Sequence, residues 1–491
     1  MNITDIEIKD FSSAPKRIMQ FGEGNFLRAF ADYFIQLANE KGIMNSSIVL
    51  VKPTSRSINT AFFEKDCRYN VFLRGRYNGK VVDEYKTITS VSEFISPYTD
   101  FDKVLELAKA PELQVFISNT TEAGIEYKES DLLSDAPNVT YPAKLTVLLY
   151  ERFKALGTSG TLLILPVELI ENNGAVLKEC VLKYASGWQL GNDFIDYINN
   201  TCIFCTTLVD RIVTGFPSND YNKFCERLGY EDKLMVACEP FYSWIISAGG
   251  REAEAKEIFP LHKLFDGVVW SNDVATYRER KVRILNGAHT VSVLAGYLAG
   301  YDIVRDMLHD EAFSGLINLC LNNEVIPTID LSEDVLKSFA ASVLERFDNP
   351  FIDHKLLDIS LNSVSKFKAR CVGSFKDYYA KTGKSPSLLS FGLAALITFY
   401  NGRFEGDAFI GTRENGDDYQ IKDNPEVLAA ASEAYKTADP VEAIMKNTAL
   451  WGKDLTAIEG FEAKVKSYFD GIKELGVKAQ LEKVINDEYA V

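Results

Sequence analysis

The sequence predicts an α/β protein: a doubly wound, mostly parallel N-terminal sheet followed by a mainly α-helical C-terminal domain. In the first half, short apolar runs alternate with segments of helical period, the pattern of a parallel sheet flanked by helices. A glycine-containing turn follows the first of these runs. Beyond about residue 265, most segments have helical period. We therefore predict two domains, residues 1–265 and 266–491.

The predicted elements follow one another in an order typical of a Rossmann-like, nucleotide-binding sheet. The strands are RIMQF (17–21), SIVLV (47–51), LQVFIS (113–118), TLLILPVEL (161–169) and CIFCTTLV (202–209). One amphipathic helix is predicted from the glycine turn to Gly42, and a helical stretch around Asn59–Asp66. In the second domain, RKVRILNGAHTVSVLAGYLAGY and SLLSFGLAALITFYNGR predict long helices. We expect the active site in the cleft between the domains.

Composition excludes several function classes. The 53 basic and 69 acidic residues give a net charge of −16, which disfavours nucleic acid or an anionic membrane as a partner. The sequence has no run of about 18 apolar residues that would predict a membrane span. The first 17 residues lack the basic and apolar regions of a secretory signal. We expect a cytoplasmic protein with a small-molecule substrate, and the sequence leaves its oligomeric state open.

The eight cysteines lack the spacing of a disulfide framework, so we predict reduced, buried thiols. Cys202 and Cys205 form a C-x-x-C within the last predicted strand. Residues three apart on a strand face opposite sides, so these two thiols are poorly placed to share a metal ion. None of the four histidines pairs with a cysteine at zinc spacing. We therefore predict chemistry without a metal.

The turn after the first strand is the predicted cofactor site. Gly22 would allow the tight turn, and Gly24 would let a pyrophosphate approach the backbone at a helix N-terminus. The third glycine of G-x-G-x-x-G is replaced by Leu27, so the motif alone is weak. The predicted cofactor-binding segment comprises Met19, Gln20, Phe21, Gly22, Glu23, Gly24, Asn25, Phe26, Leu27, Arg28 and Ala29.

Lys52, at the end of the second strand, leaves the choice between NAD and NADP open. An acidic residue there normally binds the adenosine ribose of NAD, whereas a cation can accept the NADP phosphate. A solvated lysine at the end of a strand explains Lys52 equally well.

The segment Lys281-Val-Arg-Ile-Leu-Asn-Gly-Ala-His289 holds the candidate catalytic groups. On an α-helix, Asn286 would lie about 140° and His289 about 80° from Lys281, so the three would share one side. Reduction of a ketone by hydride needs a proton donor and a group that polarises the carbonyl. A lysine amine can serve as acid and base when burial or nearby cations lower its pKa toward neutrality. Arg280 and Arg283 would supply such nearby positive charge. A surface lysine beside a core asparagine and histidine would give the same pattern.

At this point the chain resembles the polyol-specific long-chain dehydrogenases of the mannitol dehydrogenase family. The signature K-x4-N-x2-H matches, and so do GEGNFLRAF (22–30), NTTEAG (119–124), LVDRI (208–212), CEPFYSW (238–244) and RFDNP (346–350). The resemblance implies an NAD-dependent, metal-independent oxidoreductase with Lys281 as acid–base catalyst, and His289 orienting a substrate hydroxyl. It also implies that Asn173 and Asn286 polarise the carbonyl, and that Glu122 assists proton passage.

Within the family, PVELIENNG (166–174), LNSVSKFKAR (361–370) and FGLAALITFYNGR (391–403) resemble a branch that reduces uronates. A uronate carries a carboxylate, so its pocket needs a cation. Lys366, Lys368 and Arg370 are the candidates: all three share a side if the segment is extended, but only Lys366 and Arg370 do if it is helical. A solvated basic stripe is the alternative. Rival functions are reduction of a sibling uronate, a mannitol-type activity and, from another class, a non-catalytic NAD-sensing protein.

Overall fold

The computed structural model describes residues 9–56, 58–159 and 161–489, with Glu122 described only in its backbone. The chain divides into two compact units. Unit 1 comprises Met1–Arg74 and Val82–Val274, and unit 2 comprises Gly75–Val81 and Ala275–Val491. Within the described ranges, no helix combines the length and apolarity needed to cross a membrane.

Unit 1 alternates strands and helices. Its strands are β1 (Ile18–Phe21), β2 (Ile48–Val51), β3 (Tyr69–Tyr77), β4 (Lys80–Ile88), β5 (Val91–Ile95), β6 (Val115–Ser118), β7 (Leu162–Pro166), β8 (Cys202–Phe204), β9 (Thr206–Asp210), β10 (Val213–Gly215), β11 (Val236–Cys238), β12 (Ser243–Ser247) and β13 (Val268–Trp270). Its helices are α1 (Asn25–Ala29), α2 (Ala31–Glu40), α3 (Ala61–Glu64), α4 (Phe101–Lys109), α5 (Tyr141–Leu156), α6 (Asn173–Gly187), α7 (Asn192–Asn200), α8 (Tyr221–Leu228) and α9 (Glu252–Ile258). The tip of the β3–β4 hairpin belongs to unit 2.

The main sheet of unit 1 has six parallel strands in the order β5-β2-β1-β6-β7-β8. Counting only its own members, this is the Rossmann order 3-2-1-4-5-6, so the predicted fold class is confirmed. The strands are apolar on both faces because a hydrophobic cluster covers each face of the sheet. Ile18 belongs to one of these clusters and Met19 to the other. The order reverses between β1 and β6, which places the turn after β1 at the switch point where such sheets bind ligands.

Two smaller sheets were not predicted, one ordered β10-β11-β3-β4 and the other β13-β12-β9. The predicted strand CIFCTTLV is wrong in one respect, because it breaks at Cys205. β8 joins the main sheet, whereas β9 pairs antiparallel with β12. A Cβ at Gly174 would lie 2.2 Å from the Cys205 carbonyl oxygen, so α6 begins against this break. Burial raises the pKa of the Cys202 thiol to about 12.

The single helix predicted to extend to Gly42 is also two helices in the structure. The chain leaves helical geometry at Phe30, which has φ −123° and ψ −85°, and its N–H donates to the Leu27 carbonyl at 3.1 Å. Phe30 is fully buried and its ring lies 5.0 Å from that of Trp244. Aromatic packing therefore accompanies a break that the hydrophobic periodicity does not reveal.

Unit 2 is mainly helical, as predicted. Its helices are α10 (Val274–Arg280), α11 (Gly287–Leu298), α12 (Val304–Leu308), α13 (Glu311–Leu319), α14 (Glu333–Phe347), α15 (Leu356–Ile359), α16 (Ser363–Arg370), α17 (Val372–Thr382), α18 (Ser387–Phe399), α19 (Pro425–Ala434), α20 (Pro440–Lys446), α21 (Thr448–Trp451), α22 (Phe461–Leu475) and α23 (Val477–Tyr489). The antiparallel strands β14 (Gly402–Glu405), β15 (Ala408–Thr412) and β16 (Asp418–Ile421) form a sheet that was not predicted. π-Helical turns span Lys281–Asn286 and Cys320–Val325.

Candidate active site

The turn after β1 has the geometry of a dinucleotide-binding turn. Gly22 has φ +134°, and a Cβ there would lie 2.9 Å from Leu27 Cδ1 and 3.2 Å from the Asn119 carbonyl oxygen. A Cβ at Gly24 would meet nothing within 4 Å, so a ligand can approach this backbone closely. No side chain caps α1, and its first turn has no acidic residue. The positive end of this short helix therefore suits a pyrophosphate, and the turn fits the predicted cofactor.

Only part of the predicted cofactor segment is accessible. Glu23 and Phe26 are partly exposed and Gly24 and Asn25 are exposed, whereas the flanking residues are buried. The Arg28 side chain forms two hydrogen bonds to the turn: its Nε donates to the Glu23 carbonyl at 3.1 Å, and its Nη2 donates to Asn25 Oδ1 at 2.6 Å. Burial lowers the pKa of Arg28, and its positive charge is balanced by nearby acidic groups. Arg28 is therefore a scaffold for the turn.

Lys52 is neither solvated nor available as a lone cation. Its residue is only 4% exposed, and its Nζ lies 3.1 Å from Glu23 Oε1. β1 and β2 are adjacent and parallel, with Phe21 opposite Val51, so the residues just after them come together. The end of β2 therefore presents an ion pair to the cofactor site.

The loop after β6 carries Glu122, the predicted proton-passage residue. Its side chain lies outside the described residues, and its backbone starts a 3₁₀ turn, Glu122–Gly124. Glu168 holds this loop from the end of β7: it accepts from Thr120 N at 2.9 Å, Thr120 Oγ1 at 3.0 Å and Ser118 Oγ at 3.1 Å. Burial raises the pKa of Glu168, while these donors oppose the shift. Glu168 thus anchors the loop.

Asn173 does not have the geometry expected of a carbonyl polariser. It is fully buried, and its Nδ2 donates to the carbonyl oxygens of Pro166 and Glu168 at 3.1 and 3.0 Å. Its Oδ1 accepts from the backbone N–H groups of Gly174 and Thr207, both at 2.9 Å. Both ends of the amide are engaged, so the structure gives Asn173 a role in joining α6 to the ends of β7 and β9.

In unit 2, the K-x4-N-x2-H segment is not a uniform α-helix. Lys281–Asn286 forms a π turn between α10 and α11. A π turn closes between residues i and i+5, so Lys281 and Asn286 lie about one turn apart on the same face, closer in direction than the 140° that an α-helix gives. Ile284 and Leu285, within this turn, are buried. π turns are frequent at functional sites, and this one aligns the ammonium with the amide.

Two arginines next to Lys281 have other partners. Arg283 forms ion pairs with Glu279 and Asp377, both at 2.6 Å, and donates to Thr328 Oγ1 at 3.0 Å. The Arg280 guanidinium lies 4.3 Å from the centre of the Phe339 ring. Arg283 therefore anchors the π turn to its neighbours, and its charge is balanced by two carboxylates.

His289 lies in a group of basic residues within unit 2. Its ring stacks on Phe347 with centroids 3.9 Å apart. Its Nδ1 is buried and has no hydrogen-bond partner in the part of the chain that the structure describes. Burial lowers the pKa of His289 well below its usual value. Four neighbouring basic groups act in the same direction: His354, Arg346, Arg370 and Lys366. The imidazole therefore resists protonation, and its Nδ1 is available for a hydrogen bond.

The segment with the three candidate cations is helical, in α16, which decides between the two arrangements considered from sequence. Lys366 and Arg370 lie on the side of His289, and Arg370 Nη1 donates to Thr290 Oγ1 at 3.2 Å. Burial lowers the pKa of both. Lys368 is exposed and lies elsewhere: a Cβ on Gly452 would be 3.0 Å from its Nζ. Arg346 was missed, although it begins the RFDNP string, because nothing in the sequence links α14 to α11.

The lowered pKa of His289 gives a testable loss of stability in mild acid. The unfolded chain binds a proton on this imidazole near pH 6.5, but the folded protein does not. Stability is therefore lost as the pH falls below about 6.5, by at most about 1.4 kcal/mol per pH unit. We expect His289→Gln to flatten the fall of Tm between pH 7 and 5. His309→Gln, at an exposed histidine, is the control; equal slopes in wild type and His289→Gln would contradict the prediction.

Comparison with known proteins gives consistent matches over both units. The model "Mannitol dehydrogenase Rossmann domain" matches residues 16–258, and "Mannitol dehydrogenase C-terminal domain" matches residues 273–473. Altronate oxidoreductase of Halalkalibacterium halodurans is 39% identical over 486 residues, covering 97% of this chain and 94% of the relative. That of Bacteroides thetaiotaomicron is 41% identical over 468 residues, covering 94% and 95%.

Two solved structures share the fold. A D-sorbitol dehydrogenase in substrate-free form has a TM-score of 0.79 at 24% identity and covers 96% of each chain. Pseudomonas fluorescens mannitol 2-dehydrogenase, solved with NAD and D-mannitol, has a TM-score of 0.67 at 21% identity and covers 97% of this chain and 96% of its own.

Proposed function

Since the chain belongs to the mannitol dehydrogenase family, we propose that it is an NAD-dependent tagaturonate reductase, interconverting D-tagaturonate and D-altronate in hexuronate breakdown. The similarity to altronate oxidoreductases extends over nearly the whole chain. The observation that supports the substrate class is the placement of two cations of α16, Lys366 and Arg370, beside His289. His289 itself lies on α11, the helix that follows the Lys281 turn. A neutral polyol has no group for such cations, whereas a uronate presents a carboxylate, which arginine can bind through two hydrogen bonds.

In the proposed reaction, Asn286, Lys281 and His289 each have a separate role. When bound, NADH supplies the hydride that converts the ketone carbon into a secondary alcohol carbon. The Asn286 amide donates a hydrogen bond to the carbonyl oxygen and stabilises negative charge as it develops there. Lys281 gives its proton to that oxygen, and takes it back when the alcohol is oxidised. His289 binds a neighbouring hydroxyl through its open Nδ1.

Two predicted roles change in this scheme. Asn173 holds the ends of β7 and β9 together instead of contacting the carbonyl. Glu122 remains the proposed link in the path by which Lys281 exchanges its proton with solvent.

The first experiment is to follow NADH consumption by absorbance with D-tagaturonate, D-fructuronate and D-fructose in parallel. We expect turnover with D-tagaturonate and at least about tenfold lower kcat/KM with the other two, a difference of about 1.4 kcal/mol. NADPH in place of NADH is the cofactor control. Faster turnover of D-fructuronate or D-fructose would assign a sibling activity. NADH binding without turnover of any of the three would favour a sensor.

A further inference from the structure

We infer that Glu23 selects NAD over NADP in this protein, with Lys52 as the group that it neutralises. This inference builds on the proposed NAD-linked function. In Rossmann folds, the adenosine ribose lies beyond the end of the second strand, where a carboxylate binds its hydroxyl groups or a cation accepts a 2′-phosphate. Here, residues 48–56 (IVLVKPTSR) contain no acid, and a lysine, Lys52, directly follows the strand. That pattern alone leaves the choice between NAD and NADP open and gives no group that favours NAD.

The geometry of unit 1 supplies such a group. Lys52 Nζ lies 3.1 Å from Glu23 Oε1, and the lysine side chain is 5% exposed. The positive charge of Lys52 is therefore neutralised by Glu23. Glu23 comes from the glycine turn itself, between the two glycines. Its backbone carbonyl accepts from Arg28 Nε at 3.1 Å, which fixes the residue from the other side. The turn thus carries the carboxylate that β2 lacks.

The carboxylate is also placed to contact a ligand. Its side chain is 22% exposed, and within the described residues Oε2 has no hydrogen-bond or ion-pair partner. An open carboxylate oxygen can accept a hydrogen bond from the 2′-hydroxyl of NAD. The same oxygen would repel the 2′-phosphate of NADP, because two adjacent negative groups are unfavourable. Glu23 therefore acts twice, as an acceptor for one cofactor and as a barrier to the other.

The groups that would bind a 2′-phosphate are already present. Thr54, Ser55 and Arg56 follow Lys52 and are exposed. Hydroxyl groups together with lysine and arginine are the donors that bind phosphate in proteins. Removing one negative charge from Glu23 would release Lys52 to join them. Selectivity in this chain therefore depends on a single carboxylate.

The test is a binding titration without any sugar. We expect Glu23→Gln to lower the ratio of the dissociation constants for NADPH and NADH, measured by nucleotide fluorescence, by roughly 10–100-fold. The fragments 2′,5′-ADP and 5′-AMP, measured by calorimetry, should shift in the same direction. Glu40→Gln is the matched control, since Glu40 also pairs with a lysine, Lys86, at 3.0 Å, and its ratio should stay at the wild-type value. An unchanged ratio in folded Glu23→Gln overturns the inference.

Lys52 is tested by a double substitution. We expect the gain in NADPH affinity to disappear in Glu23→Gln/Lys52→Met, because the released ammonium is then absent. The loss of NADH affinity caused by Glu23→Gln should persist in the Lys52→Met background, which shows that Glu23 binds the ribose directly. Full NADH affinity in the double variant would mean that Glu23 is only the counter-ion of Lys52, and would overturn the inference. A wild-type protein that binds NADH but reduces no uronate contradicts the proposed function and leaves this result intact.

Discussion

Lys281→Ala is expected to lower kcat for uronate reduction by roughly 10²–10⁴-fold, the usual contribution of a positioned proton donor. NADH affinity should stay within about threefold of wild type, a difference of less than about 1 kcal/mol, because the cofactor turn belongs to unit 1 and Lys281 to unit 2. Stopped-flow absorbance measures kcat, and a fluorescence titration measures NADH binding. Lys337→Ala is the control, since Lys337 is an exposed lysine of unit 2 that pairs with Glu333.

A general acid–base role makes a further demand on the same variant. If the missing group is an amine, added methylamine or ethylamine should restore part of the activity of Lys281→Ala. In the direction of ketone reduction the rescue should be stronger at a pH where the added amine is protonated, because the protonated form is the proton donor. A purely structural role would give no such rescue. A folded Lys281→Ala variant with wild-type kcat would remove Lys281 from the mechanism.

The sequence predicted every strand of the main sheet except β5, because the signal of the others is local. Strands buried on both faces appear as continuous apolar runs, and β1, β2, β6 and β7 are of this kind. The failures arise where tertiary contacts decide. In the small sheets, strands such as β4 and β10 are partly exposed, and at the break at Phe30 the ring packs against Trp244. Neither leaves a periodic pattern.

In the candidate site, too, features set by the local sequence were predicted and features set by tertiary contacts were not. The motif placed Lys281, Asn286 and His289 on one helix face, but the π turn that aligns the first two cannot be derived from an assumed 100° per residue. Lys52 is ambiguous in sequence, because its meaning depends on Glu23, 29 positions earlier. A signal existed: opposite charges just after two adjacent parallel strands. The hydrogen bonds of Asn173 to β7 and β9 could not be predicted either, since the partner in β9 lies 34 positions away in the sequence.

Neutralising the basic side of α16 is expected to separate uronates from ketoses. Hydrogen bonds to a charged group contribute about 1.5–3 kcal/mol each, so Arg370→Met should lower kcat/KM for D-tagaturonate by roughly 10–100-fold, and Lys366→Met/Arg370→Met by more. D-Fructose has no carboxylate, so any turnover of D-fructose should change only about threefold or less, under about 1 kcal/mol. The loss should lie mainly in KM, since the carboxylate is bound equally in substrate and transition state.

Lys368 provides the control on the same helix, and it tests the third candidate from the sequence. Its ammonium lies beside Gly452, away from the side of α16 that carries Lys366 and Arg370. Lys368→Met removes the same charge from the protein as Lys366→Met, so a long-range electrostatic effect would affect both equally. We expect Lys368→Met to keep wild-type kinetics with D-tagaturonate. If it raises KM as much as Lys366→Met, overall charge and not a carboxylate contact explains the preference. If neither variant nor Arg370→Met changes the uronate-to-ketose ratio, the carboxylate is bound elsewhere in the protein.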